Sequence, residues 1–134
     1  MVAFLASLAV VLAADQALKA AAFNLAEAES GFVYRENPDG GFAALPPWAG
    51  GLVLLVATGC MYALGASEGW PALMSIGLGA ALGGAASNFI DRLRFGYVVD
   101  YVGLPNGAAL NLGDAAIATG TVLAVLGYLL ELSS

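Results

Sequence analysis

A group of polar side chains in the second half of this chain has the composition of a catalytic site. It contains three carboxylates, two carboxamides and one guanidinium, on residues Asn88, Asp91, Arg92, Asp100, Asn111 and Asp114. Apolar segments precede and follow the group, and ionisable side chains beside hydrocarbon are costly enough to indicate function. The i, i+3, i+4 spacing of Asn88, Asp91 and Arg92 predicts that these three share one face of a helix.

Asp100 and Asp114 are the two carboxylates best placed to act together. They lie on either side of the turn Pro105-Asn106-Gly107, which can fold the chain back and bring their carboxyl groups face to face. Repulsion raises the pKa of one member of such a pair, so the pair holds a single proton. The ionised member can take a proton from a water that attacks a peptide carbonyl. The protonated member can stabilise the oxyanion and supply the leaving amine. The pair titrates as a unit, which leaves open which aspartate plays which role.

Structural roles for the same carboxylates are an alternative of equal weight on spacing alone. Asp114 is placed to cap the N-terminus of a helix, and either aspartate could pair with Arg92 or Arg94. Asp91 stands next to Arg92, which favours a structural role for Asp91.

Several other chemistries are excluded by residue type. The chain has no histidine, which removes Ser-His-Asp and Cys-His mechanisms and the usual zinc ligand sets. Residues 65–69 match the pattern G-x-S-x-G, but without a histidine base the match is attributed to chance. The single cysteine, Cys60, cannot build a disulfide framework or a thiolate metal site and is predicted to be a buried apolar side chain. Only four basic residues argue against nucleic-acid binding.

The elements that must position these residues are membrane helices. The 134 residues are 60% hydrophobic and 10% charged, with a mean hydropathy of +0.85, which indicates an all-α integral membrane protein. A span takes about 20 apolar residues. We therefore predict one membrane domain over 1–134, with four transmembrane helices at about 1–23, 48–64, 70–90 and 114–130.

The polar segments between these spans are predicted to be loops. The two long ones, at about 24–47 and 91–113, lie on the same side of a four-span bundle, and residues 31–34 are compatible with a strand in a small extramembrane β-like subdomain. Within the spans, Asp15 and Lys19 are four residues apart and are expected to pair as structural polar groups. Gly79-x-x-x-Gly83 predicts close helix packing. A bundle that closes around its own polar residues is expected to be a monomer.

The residues from Gly83 to Tyr101, GGAASNFIDRLRFGYVVDY, resemble the signature of the lipoprotein signal peptidase family, also called signal peptidase II. In that family the signature reads roughly G-G-A-x-G-N-L-I-D-R, followed by G-Y-V-V-D-F. Three further motifs resemble the family in order: D-Q-x-x-K at Asp15 to Lys19, N-x-G-A-A-F at Asn37 to Phe42, and F-N-x-A-D at Leu110 to Asp114.

The resemblance implies an aspartic endopeptidase of the bacterial cell inner membrane, multi-pass, with its active site near the outer face. Such an enzyme removes the signal peptide of prolipoproteins just before a diacylglyceryl-modified cysteine, among membrane lipids, and is blocked by globomycin-type antibiotics. Asp100 and Asp114 match the catalytic aspartates. Asn88, Arg92 and Asn111 match positions that brace the dyad and the substrate, and Asn37 matches one near the substrate. No metal or cofactor is implied.

Departures from the family pattern leave other interpretations open. Ser87 replaces a glycine, Leu110 and Gly113 replace a phenylalanine and an alanine, and Asp39 replaces a glycine of the loop motif. None of these departures removes a carboxylate. The alternatives are a degenerate member of the family, or a non-catalytic membrane carrier or scaffold in which Asp15, Lys19 and Asp91 form a polar relay.

Overall fold

The computed structural model describes residues 1–27, 32–38, 53, 56–57, 59–61, 63–65 and 69–133. Its three long helices are α1 (Val2–Glu27), α2 (Ala72–Phe95) and α3 (Leu112–Leu132). Each contains a segment long and apolar enough to cross a membrane: Val2–Ala22, Ala72–Phe95 and Leu112–Leu132. The chain is therefore a multi-pass membrane protein, as its composition predicts.

The predicted spans agree with these helices except at their ends. Helix α2 continues past the predicted end at residue 90 to Phe95, and α3 begins at Leu112 rather than Asp114. Gly96, with φ of 81°, ends α2 in the left-handed conformation that glycine favours, and its N–H donates to the Arg92 carbonyl. The predicted span at 48–64 falls largely outside the described residues; those described between 53 and 65 are helical.

The segments that connect the helices in sequence form a small antiparallel sheet. It consists of β1 (Phe32–Asn37), β2 (Val98–Gly103) and β3 (Ala109–Leu110), with β2 in the centre. Arg35 pairs with Asp100 across β1 and β2, and Val102 pairs with Leu110 across β2 and β3. The strand predicted at residues 31–34 is confirmed within β1 for residues 32–34, and Gly31 lies outside the described residues.

The first four residues of β2 are buried, and their aromatic and β-branched side chains anchor the sheet to the helices. Val99 and Tyr101 form an apolar cluster with Ala22 of α1, against which Leu18 and Leu112 pack. β2 is thereby fixed against both α1 and the start of α3.

Helix α2 is the central helix of the described bundle and packs against both α1 and α3. Its small residues let the backbones of both neighbours approach closely. A Cβ atom on Gly83 would lie 2.5 Å from the Leu8 carbonyl oxygen of α1, and one on Gly77 would lie 2.5 Å from the Gly120 carbonyl oxygen of α3. Real Cβ atoms do not approach a carbonyl oxygen so closely, so these positions require glycine. The close packing predicted for Gly79-x-x-x-Gly83 is confirmed on the α1 side.

Gly83→Ala should lower the free energy of unfolding by about 1–3 kcal/mol, because the added methyl group must push α1 away from α2. Thermal unfolding in detergent micelles measures the effect. Gly59→Ala is the matched control, since a Cβ there meets nothing within 4 Å. Equal melting temperatures for the two variants would contradict the close approach of α1 and α2.

Candidate active site

Asp100 is positioned by the buried part of β2. Its side chain is 1% exposed, and each carboxyl oxygen accepts a hydrogen bond from a carboxamide. Asn37, at the end of β1, donates from Nδ2 to Oδ2 at 2.9 Å, and Asn111 donates from Nδ2 to Oδ1 at 2.7 Å. The sheet and the start of α3 thus hold this carboxyl group from two sides.

Asp114 is positioned by the first turn of α3. The N-cap is Asn111 and not Asp114, which corrects the capping role considered from the sequence. The Asp114 N–H donates to Asn111 Oδ1 at 2.8 Å, and the Asn111 N–H donates back to Asp114 Oδ2 at 3.4 Å, which is a capping box. Asn88 of α2 donates from Nδ2 to the other oxygen, Oδ1, at 2.9 Å. Asp114 is partly buried.

Asn111 is the residue that joins the two carboxyl groups. It is fully buried, its carboxamide donates to Asp100, and its backbone N–H donates to Asp114. The same carboxamide also donates to the Val99 carbonyl at 3.3 Å, which ties the residue to the backbone of β2. Because one side chain and its own backbone contact both carboxyls, the loop between β2 and α3 determines their relative position.

Burial is the main electrostatic influence on Asp100. It raises the pKa of this carboxyl above its ordinary value of 3.8, and the nearby Asp114 charge raises the pKa further. The hydrogen bonds from Asn37 and Asn111 lower the pKa but do not reverse the shift. Protonation of Asp100 is therefore easier in the folded protein than in the unfolded chain.

A second polar cluster lies beside the two carboxyls and is centred on Lys19 of α1. The Lys19 Nζ lies 2.8 Å from Asp15 Oδ2 and 2.9 Å from Asp91 Oδ2, and all three side chains are buried. The predicted pairing of Asp15 with Lys19 is confirmed. Asp91 pairs with Lys19 and also accepts from Gln16 Nε2 at 2.9 Å and from the Val99 N–H at 3.0 Å.

The second cluster also contacts the carboxyl pair. Lys19 Nζ donates to Asn88 Oδ1 at 2.7 Å, which orients the carboxamide so that its Nδ2 faces Asp114. Arg92 lies one turn further along the same face of α2, and its charge interacts with Asp114 and Asp91. Its Nε is buried without a hydrogen-bond partner in the described part of the chain.

Sequence reasoning located the carboxyls but missed three side chains of the second cluster: Gln16, Ser87 and Tyr101. Ser87 donates to Asp15 Oδ2 at 2.6 Å and Tyr101 donates to Asp15 Oδ1 at 2.8 Å. Gln16 lies within the motif D-Q-x-x-K, which was a usable signal. The buried cysteine prediction is wrong, because Cys60 is exposed on the surface of the protein. Among the described residues, no group of three or more acidic or cysteine side chains could hold a metal ion.

Membrane-spanning helices beside one buried and one partly buried carboxyl group, joined through Asn111, define a membrane protein with a candidate aspartic hydrolase site. Two solved structures described as bacterial membrane enzymes have this fold. One, at 17% sequence identity, superposes with a TM-score of 0.74 over 97% of this chain and 89% of its own. The other, at 18% identity, has a TM-score of 0.68 over 94% and 92%.

The sequence comparisons identify the family. The family model described as Signal peptidase (SPase) II matches residues 7–130. A lipoprotein signal peptidase of Pelotomaculum thermopropionicum is 35% identical over 87% of this chain and 84% of its own length. Another, from Coxiella burnetii, is 42% identical over 46% of this chain and 40% of its own, so this shorter match spans less than half of that relative. The chain belongs to the signal peptidase II family.

Asp100→Asn should make the stability of the protein less sensitive to pH. Because the pKa of Asp100 is higher in the folded protein, the folded protein keeps this proton at pH values where the unfolded chain has released it. The free energy of unfolding therefore falls as the pH rises from the unfolded-state pKa to the folded-state pKa. An asparagine cannot ionise. The melting temperature of the variant relative to the native chain should therefore rise as the pH increases above about 4, the ordinary value of a carboxyl group. A difference that is constant or declines over this range would contradict the raised pKa.

Proposed function

We propose that this protein is a membrane aspartic endopeptidase that removes the signal peptide from diacylglyceryl-modified bacterial prolipoproteins, with Asp100 and Asp114 as its catalytic pair. The observation that carries the proposal is the double contact of Asn111, which hydrogen-bonds both carboxyls and so brings β2 and α3 together at one point. Family membership supplies the substrate class. Burial and the nearby Asp114 charge raise the pKa of Asp100, which is the direction expected for a carboxyl pair that shares one proton.

The pair hydrolyses the peptide bond by general acid–base catalysis. The ionised carboxyl accepts a proton from water as the water oxygen attacks the carbonyl carbon, and the protonated carboxyl hydrogen-bonds the oxyanion that forms. When the C–N bond breaks, a carboxyl proton passes to the nitrogen of the leaving amine, which is the new N-terminus of the lipid-modified cysteine. The products are the free signal peptide and the lipoprotein, and the pair is left with one proton, as before.

The neighbouring amides and the guanidinium position the pair and the substrate. Asn37 and Asn111 hold Asp100, and Asn88 holds Asp114, so the side chains that hydrogen-bond each carboxyl in the described part of the chain are neutral amides. This suits catalysis, because a tight salt bridge to either carboxylate would oppose its protonation. Arg92 interacts electrostatically with Asp114, and its Nε has no hydrogen-bond partner among the described residues, so its guanidinium is the proposed cationic group for a substrate carbonyl.

Asp15, Lys19 and Asp91 are proposed to be structural. Their mutual contacts, at 2.8 and 2.9 Å, satisfy charges that would otherwise be costly within an apolar bundle. The rival view, a membrane carrier with a polar relay through these three residues, predicts that Asp15 would matter for function at least as much as Asp100.

The resemblance also supports a location and a set of partners. We propose one membrane domain over 1–134 in the bacterial inner membrane, with the loops at about 24–47 and 91–113, and therefore the site, near the outer face. The proposed partners are the prolipoprotein, the surrounding lipids and globomycin-type inhibitors, and the proposed working form is a monomer without a cofactor.

The test is cleavage of a diacylglyceryl-modified prolipoprotein by the purified full chain in micelles. Asp100→Asn and Asp114→Asn should each lower kcat by about 10²- to 10⁴-fold, because each removes one proton-transfer group. Glu131→Gln, an exposed substitution near the far end of α3, is the control and should retain the native rate. Full cleavage by either aspartate variant would overturn the assignment. A folded native chain that cleaves nothing would favour the degenerate family member.

A further inference from the structure

The hydroxyl group of Tyr101 makes two contacts that join three elements of the structure. Tyr101 is 2% exposed and follows Asp100 directly on β2. Its hydroxyl donates to Asp15 Oδ1 of α1 at 2.8 Å and accepts from the Leu112 N–H of α3 at 2.9 Å. One buried oxygen atom therefore links α1, β2 and the first residue of α3.

The contact with Leu112 caps an N–H group at the start of α3. The first N–H groups of an α-helix have no carbonyl partner within it and require capping. Asn111 serves the N–H of Asp114, two residues into α3, and the phenol oxygen of Tyr101 serves the N–H of Leu112. The start of α3 is thus capped from its own loop and from the strand that carries Asp100.

The contact with Asp15 fixes the direction of the phenol. Asp15 is an acceptor held in place by Lys19 Nζ at 2.8 Å and by the Ser87 hydroxyl at 2.6 Å, so the Tyr101 proton points to α1 and its lone pair remains free for Leu112. Burial raises the pKa of Tyr101, and the adjacent Asp15 charge raises it further, so the phenol keeps its proton. Gly113 leaves room for this arrangement, because a Cβ there would lie 3.0 Å from Asp15 Oδ2.

The geometry points to Tyr101 as a positioning residue for the carboxyl pair, acting through the Asp15–Tyr101–Leu112 connection that sets the start of α3 against β2. This inference rests on the proposed function. Asp100 precedes Tyr101 by one residue and Asp114 follows Leu112 by two, so a shift at this connection changes the separation of the two carboxyls. Asn111 has a short side chain and lies within the loop that joins the two carboxyls. The connection through Tyr101 fixes the position of both carboxyls relative to α1.

Tyr101→Phe tests the inference, because it removes one oxygen atom and retains the buried ring. In the prolipoprotein cleavage assay, Tyr101→Phe should lower kcat by about 10- to 100-fold and change KM by no more than about twofold, since it displaces catalytic groups and leaves the substrate contacts in place. Hydrogen exchange of the Leu112 amide, measured by NMR on the labelled full chain in micelles, should become about tenfold faster.

Tyr128→Phe is the matched control. Tyr128 lies near the other end of α3 and is 52% exposed, so its variant should keep the native kcat and the native exchange rate at Leu112. If Tyr101→Phe does not fold, Ser87→Ala removes the other hydroxyl that holds Asp15 and should also speed exchange at Leu112, by a smaller factor.

The outcomes separate this inference from the proposed function. Native exchange at Leu112 in Tyr101→Phe would overturn the connection whatever the activity, and faster exchange with a native kcat would overturn the positioning role. Both results can occur while the native chain cleaves the substrate and Asp114→Asn does not. A native chain that cleaves nothing would instead count against the proposed function and, with it, against any effect of Tyr101 on catalysis.

Discussion

The ammonium group of Lys19 and its two carboxylate partners determine much of the structure around the site. Within 2.9 Å of Nζ lie carboxylates from α1 and α2, and the same group donates to Asn88 at 2.7 Å. Charges in an apolar bundle are tolerated only when they are paired and hydrogen-bonded, so this cluster fixes the relative rotation of α1 and α2. Through Asn88 it also fixes the carboxamide that faces Asp114. The ion cluster and the Asp114 carboxyl thus share one hydrogen-bonded network.

The two clusters differ in the groups that bind their carboxyls. Asp15 and Asp91 each have a full positive charge at contact distance, whereas Asp100 and Asp114 are bound mainly by neutral amides. An ammonium at contact distance holds a carboxylate in its ionised form, while amide donors allow protonation at smaller cost. Ammonium-bound carboxylates and amide-bound carboxyls thus lie side by side in this fold, connected through the side chain of Asn88.

Much of this arrangement could be predicted from the sequence. Hydropathy located the described helices, the i, i+4 spacing paired Asp15 with Lys19, and the ordered motifs singled out Asp100 and Asp114. The capping role of Asn111 was missed because an N-cap depends on backbone conformation, and Asn and Asp are nearly equal as caps. β2 was interpreted as part of a polar loop because a six-residue strand between two spans has little periodicity. The roles of Ser87 and Tyr101 depend on contacts more than 70 residues apart in the chain, which spacing does not reveal.

The central claim is that Asp100 and Asp114 act as one titrating pair, and the pH dependence of kcat/KM for cleavage of the lipid-modified substrate tests it most directly. A pair that works with one shared proton is inactive when it holds two protons or none. The pH profile should therefore be bell-shaped, with an acid limb where the pair gains a second proton and an alkaline limb where it loses the shared one. The raised pKa of Asp100 should place the alkaline limb above the ordinary range of a carboxyl group. A rate that is independent of pH, or that keeps increasing as pH rises, would contradict a two-carboxylate mechanism.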